Sequence, residues 1–227
     1  MEIIKSNTPK KCAGETLTQI LLQNADIPIL LMLSGGSSFT LLEHVDPACI
    51  GPHVTITTLD ERFTADLSVN NFGQLKETTF YKNAMTNGAN IIASTINDND
   101  TLELAGNRFE SALQEWKRHH LNGLIIATMG IGNNGHTAGI FPDDHGVDFN
   151  GSDWVAAYTV PESVNQYTER ITVTYTFLRD RVDTAIVYAI GPEKKKIIEM
   201  IQQPDCDIEQ VPACILRELT SVTVVTD

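Results

Sequence analysis

Four short apolar runs, each closed by a turn of small or charged residues and then a helix-like segment, constrain this chain most. They are Ile29-Leu30-Leu31-Met32-Leu33, Val54-Thr55-Ile56-Thr57-Thr58-Leu59, Leu124-Ile125-Ile126-Ala127-Thr128 and Thr184-Ala185-Ile186-Val187-Tyr188-Ala189-Ile190. Short continuous apolar runs read as parallel strands buried on both faces. Their alternation with helical patterns predicts the α/β class, an open, mostly parallel Rossmann-like sheet with helices on both faces. In such a sheet the turns that follow the strands share one edge, and ligands bind along it. The length, 227 residues, fits a single α/β domain over 1–227.

The turns after these strands carry the chemistry. Ser34-Gly35-Gly36-Ser37-Ser38 leads into a helix at 39–44, an arrangement that turns backbone N–H groups towards an anion. A tight turn with serine caps explains the same residues about as well. Asp60-Glu61-Arg62 reads as a solvated charged turn, or as a place where Arg62 faces a phosphate or carboxylate while Asp60 and Glu61 orient it or polar ligand groups. Gly130 to His136 packs glycines and asparagines around one histidine, the side chain suited to proton transfer near neutrality. Taken alone, it is equally an ordinary Gly/Asn loop. Gly191-Pro192-Glu193-Lys194-Lys195-Lys196 sets lysines at a helix start, against the helix dipole, and a nearby anion would relieve that conflict.

Elsewhere the pattern predicts helices at 12–24, 71–80 and 101–119, and from 192 to about 202. Strands are expected at 91–93, 155–158, 171–175 and 221–226. The stripe Leu102, Leu104, Phe109, Leu113 and Trp116 reads as core packing, and residues 143–146 as a surface loop.

The net charge of −13 excludes nucleic acid and anionic membrane surfaces as expected partners. No apolar run approaches the ~18 residues of a membrane span. The first residues show no secretory pattern. The four cysteines, Cys12, Cys49, Cys206 and Cys214, lack metal-binding spacing, so reduced thiols, a cytoplasmic location and no metal or cofactor are expected. With only 16 Lys and Arg, an anionic ligand requires the cations to gather at its site.

Ser-Gly-Gly-Ser, Asp-Glu-Arg with a following Asn, Gly-x-Gly-x-x-Gly-His-Thr-Ala-x-x-Phe-Pro, Arg-Ile-Thr-x-Thr and Gly-x-x-Lys stand here in that order from residue 34 onwards. In order and spacing they resemble the 6-phosphogluconolactonase family, part of a wider group with glucosamine-6-phosphate deaminase and ribose-5-phosphate isomerase. The resemblance implies hydrolysis of 6-phospho-D-glucono-1,5-lactone to 6-phosphogluconate in the oxidative pentose phosphate pathway. It implies that His136 activates the attacking water, with Asn134 and Asp60 beside it as catalytic residues. Ser34, Gly35, Gly36, Ser37 and Gly135 would line the substrate pocket. Arg62, Arg170 and Lys194 would hold the phosphate or other anionic oxygens. The expected partner is a phosphorylated sugar lactone, bound by a monomer or small homo-oligomer.

Three positions depart from the family pattern: Ser38-Phe39 for Thr-Pro, Asn134 for Asp, and Gly139 for a common Ser. Asn134 carries no charge and would leave His136 a weaker base. Two rivals follow. A sugar-phosphate isomerase or deaminase would need carboxylates where Asn134 and Phe141 stand. A sugar-phosphate-binding protein would have lost catalysis with Asn134.

Overall fold

The computed structural model describes residues 1–97, 99–143 and 146–227. Of the surface loop expected at 143–146, Asp144 and His145 lie outside the described residues.

The strands are β1 (Glu2–Lys5), β2 (Ile29–Leu33), β3 (Val54–Thr58), β4 (Asp60–Arg62), β5 (Asn90–Ile91), β6 (Leu124–Gly130), β7 (Val155–Thr159), β8 (Glu169–Val173), β9 (Thr184–Tyr188) and β10 (Val222–Thr226). Seven of them form a parallel sheet in the order β1-β10-β9-β6-β2-β3-β5. The four runs singled out in the sequence become its adjacent inner strands, β9-β6-β2-β3.

The inner strands β2, β6 and β9 each feed two cores because side chains alternate across a strand. In β2, Leu30 and Met32 enter one apolar cluster, and Ile29, Leu31 and Leu33 enter the other. Helix α1 (Pro9–Gln23) covers the second face through Ala13, Leu17 and Leu21. Helices α2 (Asn71–Glu77) and α3 (Thr79–Thr86) join it there through Phe72, Leu75, Phe80 and Ala84. On the first face lie α4 (Leu102–His119), α5 (Tyr175–Arg181) and α6 (Pro192–Ile201). Helices on both faces were expected from the strand pattern. Among the described residues no helix is long and apolar enough to cross a membrane.

Several boundaries differ from expectation. Asp60–Arg62 is a short strand, not a solvated turn. It pairs antiparallel with β8, which pairs with β7, giving a second sheet of three strands. The segment after Ser34-Gly35 winds as a 3₁₀ helix over Gly36–His44. The helix expected at 71–80 breaks at Thr78, whose hydroxyl accepts the Tyr81 N–H and caps α3. β8 ends at Val173, because Thr174 caps α5 by accepting the Phe177 N–H. The strand expected at 91–93 is only Asn90–Ile91. Leu104 points outward, 56% exposed, and Ala105 takes its place against the core. Cys206 and Cys214 are joined as a disulfide with Cα atoms 5.8 Å apart, contrary to the expectation of reduced thiols throughout. Cys12 and Cys49 are free.

Candidate functional site

The ends of β2, β3, β6 and β9 open onto one cavity of about 500 Å³. All four sequence turns reach it. Its wall includes Ser34 to Ser38, Asp60 and Arg62, Gly130 to Asn134 with His136, and Lys194. Arg170 arrives from β8, across from Arg62 in the antiparallel register. Gly135 is not part of the wall. It supports the turn from behind, with positive φ (84°) and Val211 packed where its side chain would be.

His136 is positioned by its own turn. The Gly132 N–H donates to the His136 carbonyl at 2.7 Å, closing the loop. The Asn134 side-chain oxygen lies 2.6 Å from His136 Nδ1 and accepts the His136 backbone N–H at 3.2 Å. That backbone donor identifies the atom as oxygen, an acceptor only, so Nδ1 carries the proton and Nε2 is left with its lone pair. The ring also stacks on Phe141, with centroids 4.6 Å apart and planes tilted by 30°. Burial drives the imidazole pKa down from 6.5 to about 4. Asp60 opposes this, while Arg170, Lys194 and Arg62 add to it. The ring is therefore uncharged at neutral pH.

The cations are not equivalent. Arg170 forms a buried ion pair with Asp60 at 2.7 Å and lies over the Phe141 ring, 5.5 Å from its centroid. Arg62 donates to the Val69 carbonyl at 2.7 Å and lies over the Tyr167 ring. Asp60 thus orients Arg170 rather than Arg62. Among the described residues, the Nε–H groups of Arg62 and Arg170 have no partner. Lys194 donates to the neutral side chain of Asn133 and forms no ion pair among the described residues, although the Glu193 charge acts on it. Burial lowers its pKa. Lys195 turns away to Asp227 at 3.7 Å. Of the three lysines, only Lys194 lines the cavity.

Glu61 is structural. Its buried carboxylate accepts the backbone N–H groups of Arg62 (2.8 Å), Asn71 (2.5 Å) and Phe72 (2.8 Å), tying β4 to the start of α2. Burial raises its pKa to about 7, opposed by those three donors. Gly139 is required beside Asp60. Its φ is +69°, and a Cβ there would sit 2.6 Å from the Asp60 Cβ. The family's common serine would not fit this geometry.

Sequence reading gave no role to Asn71, Val164 or Asn165, which also line the cavity. Val164 and Asn165 belong to the link between β7 and β8, so their approach depends on the second sheet. The signal available for Asn71 was a helix-start asparagine soon after the Asp-Glu-Arg strand. Among the described residues no group of His, Cys, Asp or Glu is arranged to hold a metal ion.

Solved structures share this architecture. A 6-phosphogluconolactonase from Shewanella baltica superposes with a TM-score of 0.79 at 20% identity, covering 100% of this chain and 97% of that one. One from Plasmodium vivax gives 0.78 at 13% identity, with 99% and 89% covered. One from Trypanosoma brucei gives 0.74 at 18% identity, with 100% and 95% covered. No curated protein sequence matches the chain. The family described as glucosamine-6-phosphate isomerases/6-phosphogluconolactonase matches it over residues 10–225. The chain belongs to that glucosamine-6-phosphate isomerase/6-phosphogluconolactonase family.

Proposed function

We propose that this protein hydrolyses 6-phospho-D-glucono-1,5-lactone to 6-phosphogluconate in the oxidative pentose phosphate pathway, with residues 1–227 acting as one α/β unit. The observation that carries the reading is the uncharged His136 imidazole. Its Nδ1–H is taken by Asn134, and it stands in a cavity lined by an N–H-rich turn and basic side chains. The neighbours' names, 6-phosphogluconolactonase in each case, point the same way.

In this mechanism Nε2 takes a proton from water as the oxygen attacks the lactone carbonyl carbon. The carbonyl oxygen becomes an oxyanion, which the positive charge of Arg170 in the cavity wall is suited to stabilise. Collapse of the intermediate breaks the bond to the ring oxygen. The imidazolium returns its proton to that oxygen, leaving a hydroxyl and a carboxylic acid. The phosphate belongs near the Ser34–Ser37 turn and Lys194, which forms no ion pair among the described residues.

The assay that tests this reading follows lactone loss above its spontaneous hydrolysis, alongside ammonia release from glucosamine 6-phosphate. Saturable lactone hydrolysis without ammonia supports the proposal. Ammonia release, or binding without rate enhancement, would replace it with one of the rivals.

Two substitutions refine the assignment. Lys194→Ala is expected to raise KM for the phosphorylated lactone about tenfold or more with little change in kcat, and to leave unphosphorylated glucono-1,5-lactone unaffected. Steady-state kinetics on both lactones checks this. Gly132→Ala places a Cβ 2.0 Å from the His136 ring, so the imidazole must move. A loss of about 100-fold in kcat is expected with the fold retained. Turnover measured beside a thermal melt separates the two effects.

A further inference from the structure

The Cys206–Cys214 disulfide closes a short loop against the back of the His136 turn. Cys206 follows α6 and is half-buried, between exposed Asp205 and Asp207. Cys214 is buried in the 3₁₀ helix Pro212–Arg217. Within the loop, Asp207 accepts the Glu209 N–H on its carboxylate and the Val211 N–H on its carbonyl. The loop's outward contacts grip both ends of the segment that carries His136. At one end the Ala213 N–H donates to the Gly135 carbonyl at 2.9 Å, and Val211 fills the space where a Gly135 side chain would stand. At the other end the Glu209 carbonyl accepts the Asp143 N–H at 3.0 Å, just beyond the Phe141 ring on which the imidazole stacks. The Tyr175 hydroxyl donates to the Ile208 carbonyl at 3.1 Å and ties the loop to α5.

Asp207, Glu209 and Gln210 are exposed, so covalent closure does much to keep this loop in one conformation. We propose that Cys206–Cys214 is a reversible redox site, at which reduction by an external dithiol loosens residues 207–213 and lets the His136 turn drift from its working position. The exchange begins at the half-buried sulfur. A thiolate of the reductant attacks Cys206 Sγ, the S–S bond breaks, and the electron pair leaves on Cys214 Sγ, which takes a proton. The reductant's second thiolate then attacks its own sulfur in the mixed disulfide and releases Cys206, which is protonated in turn. The dithiol is oxidised by two electrons to a disulfide, and the cysteine pair is reduced to two thiols. The effect on turnover rests on the lactonase reading. The effect on the Gly135–Ala213 bond does not.

The test compares protein purified without reductant, the same protein treated with dithiothreitol under native conditions, and the double variant Cys206→Ser/Cys214→Ser. Thiols are counted by alkylation and mass spectrometry, and amide hydrogen exchange is followed at Ala213. Before treatment only Cys12 and Cys49 should be alkylated, and after it all four cysteines. Reduction is expected to speed Ala213 exchange about tenfold or more. It should lower kcat for the lactone about tenfold while 6-phosphogluconate affinity stays within about twofold. Reoxidation should restore both. The double variant should match the reduced form with or without dithiothreitol, and the wild-type comparison decides alone if that variant does not fold. The proposal is overturned by four free thiols before treatment, by a bond that resists dithiothreitol in the folded protein, or by unchanged Ala213 exchange. A response to dithiothreitol that persists in the double variant, or an unchanged kcat in a wild type that hydrolyses the lactone, overturns it as well. Absence of lactone hydrolysis would sink the proposed reaction and leave the thiol count and the exchange rates to decide this site.

Discussion

Exchange of His136 for alanine is expected to lower kcat for lactone hydrolysis by about 10²- to 10⁴-fold, the usual contribution of a placed general base. Binding of 6-phosphogluconate should change little. The substitution removes the only imidazole among the described cavity-lining residues and leaves Lys194, Arg62 and the Ser34–Ser37 turn in place. Phe141 loses its stacking partner but remains buried in the core cluster. A large fall in kcat with near-constant affinity, read by kinetics and calorimetry, is the signature of a group that acts on the transition state. Wild-type turnover in the alanine variant would remove the ring from the mechanism. The same residue also shapes stability. Its pKa of about 4 in the folded chain lies below the ordinary 6.5. The unfolded chain therefore binds more protons between those values. This contribution to stability is complete above about pH 6.5 and is lost as the pH falls towards 4.

Arg170→Leu is expected to destabilise the protein by about 3–5 kcal/mol, the range for removing one partner of a buried ion pair. Both side chains are nearly inaccessible, 4% exposed for Arg170 and 8% for Asp60. The substitution strands the Asp60 carboxylate against Gly139 and the β4–β8 ladder. For a chain of this size, a melting point lower by roughly 6–20 °C follows. Thermal and urea denaturation check it. Asp60→Asn combined with Arg170→Leu should recover part of the loss, because no unpaired charge remains. Unchanged stability in Arg170→Leu would show that solvent reaches Asp60 and that the pair is not a fixed wall of the site.

The parallel sheet was legible because its inner strands announce themselves. Leu30 and Leu31 face different cores, so the run at 29–33 has no polar member and can only be buried on both sides. The site's edge was legible for the same reason, since parallel strands put Ser34, Asp60, Gly130 and Gly191 at one end. Asp60-Glu61-Arg62 misled because three adjacent charges normally mean solvent. Here each has a specific partner: Arg170 for Asp60, three backbone N–H groups for Glu61, and the Val69 carbonyl for Arg62. Apart from the adjacent Arg62 N–H, none of those partners stands in a sequence pattern from which it could be read off. Val164 and Asn165 were illegible because only the β7–β8 pairing carries their connection to the cavity. The Cys206–Cys214 bond was missed because an eight-residue separation lacks any motif spacing, and only the fold sets their Cα atoms 5.8 Å apart.

The central claim is that His136 presents an uncharged ring with its Nε2 lone pair available. Nitrogen-15 NMR of the wild type, with the signal assigned by its loss in His136→Ala, measures both properties at once. The account predicts Nδ1 protonated and Nε2 unprotonated at pH 7, with a titration midpoint near 4. A midpoint at or above 6.5, or a proton on Nε2, would contradict it.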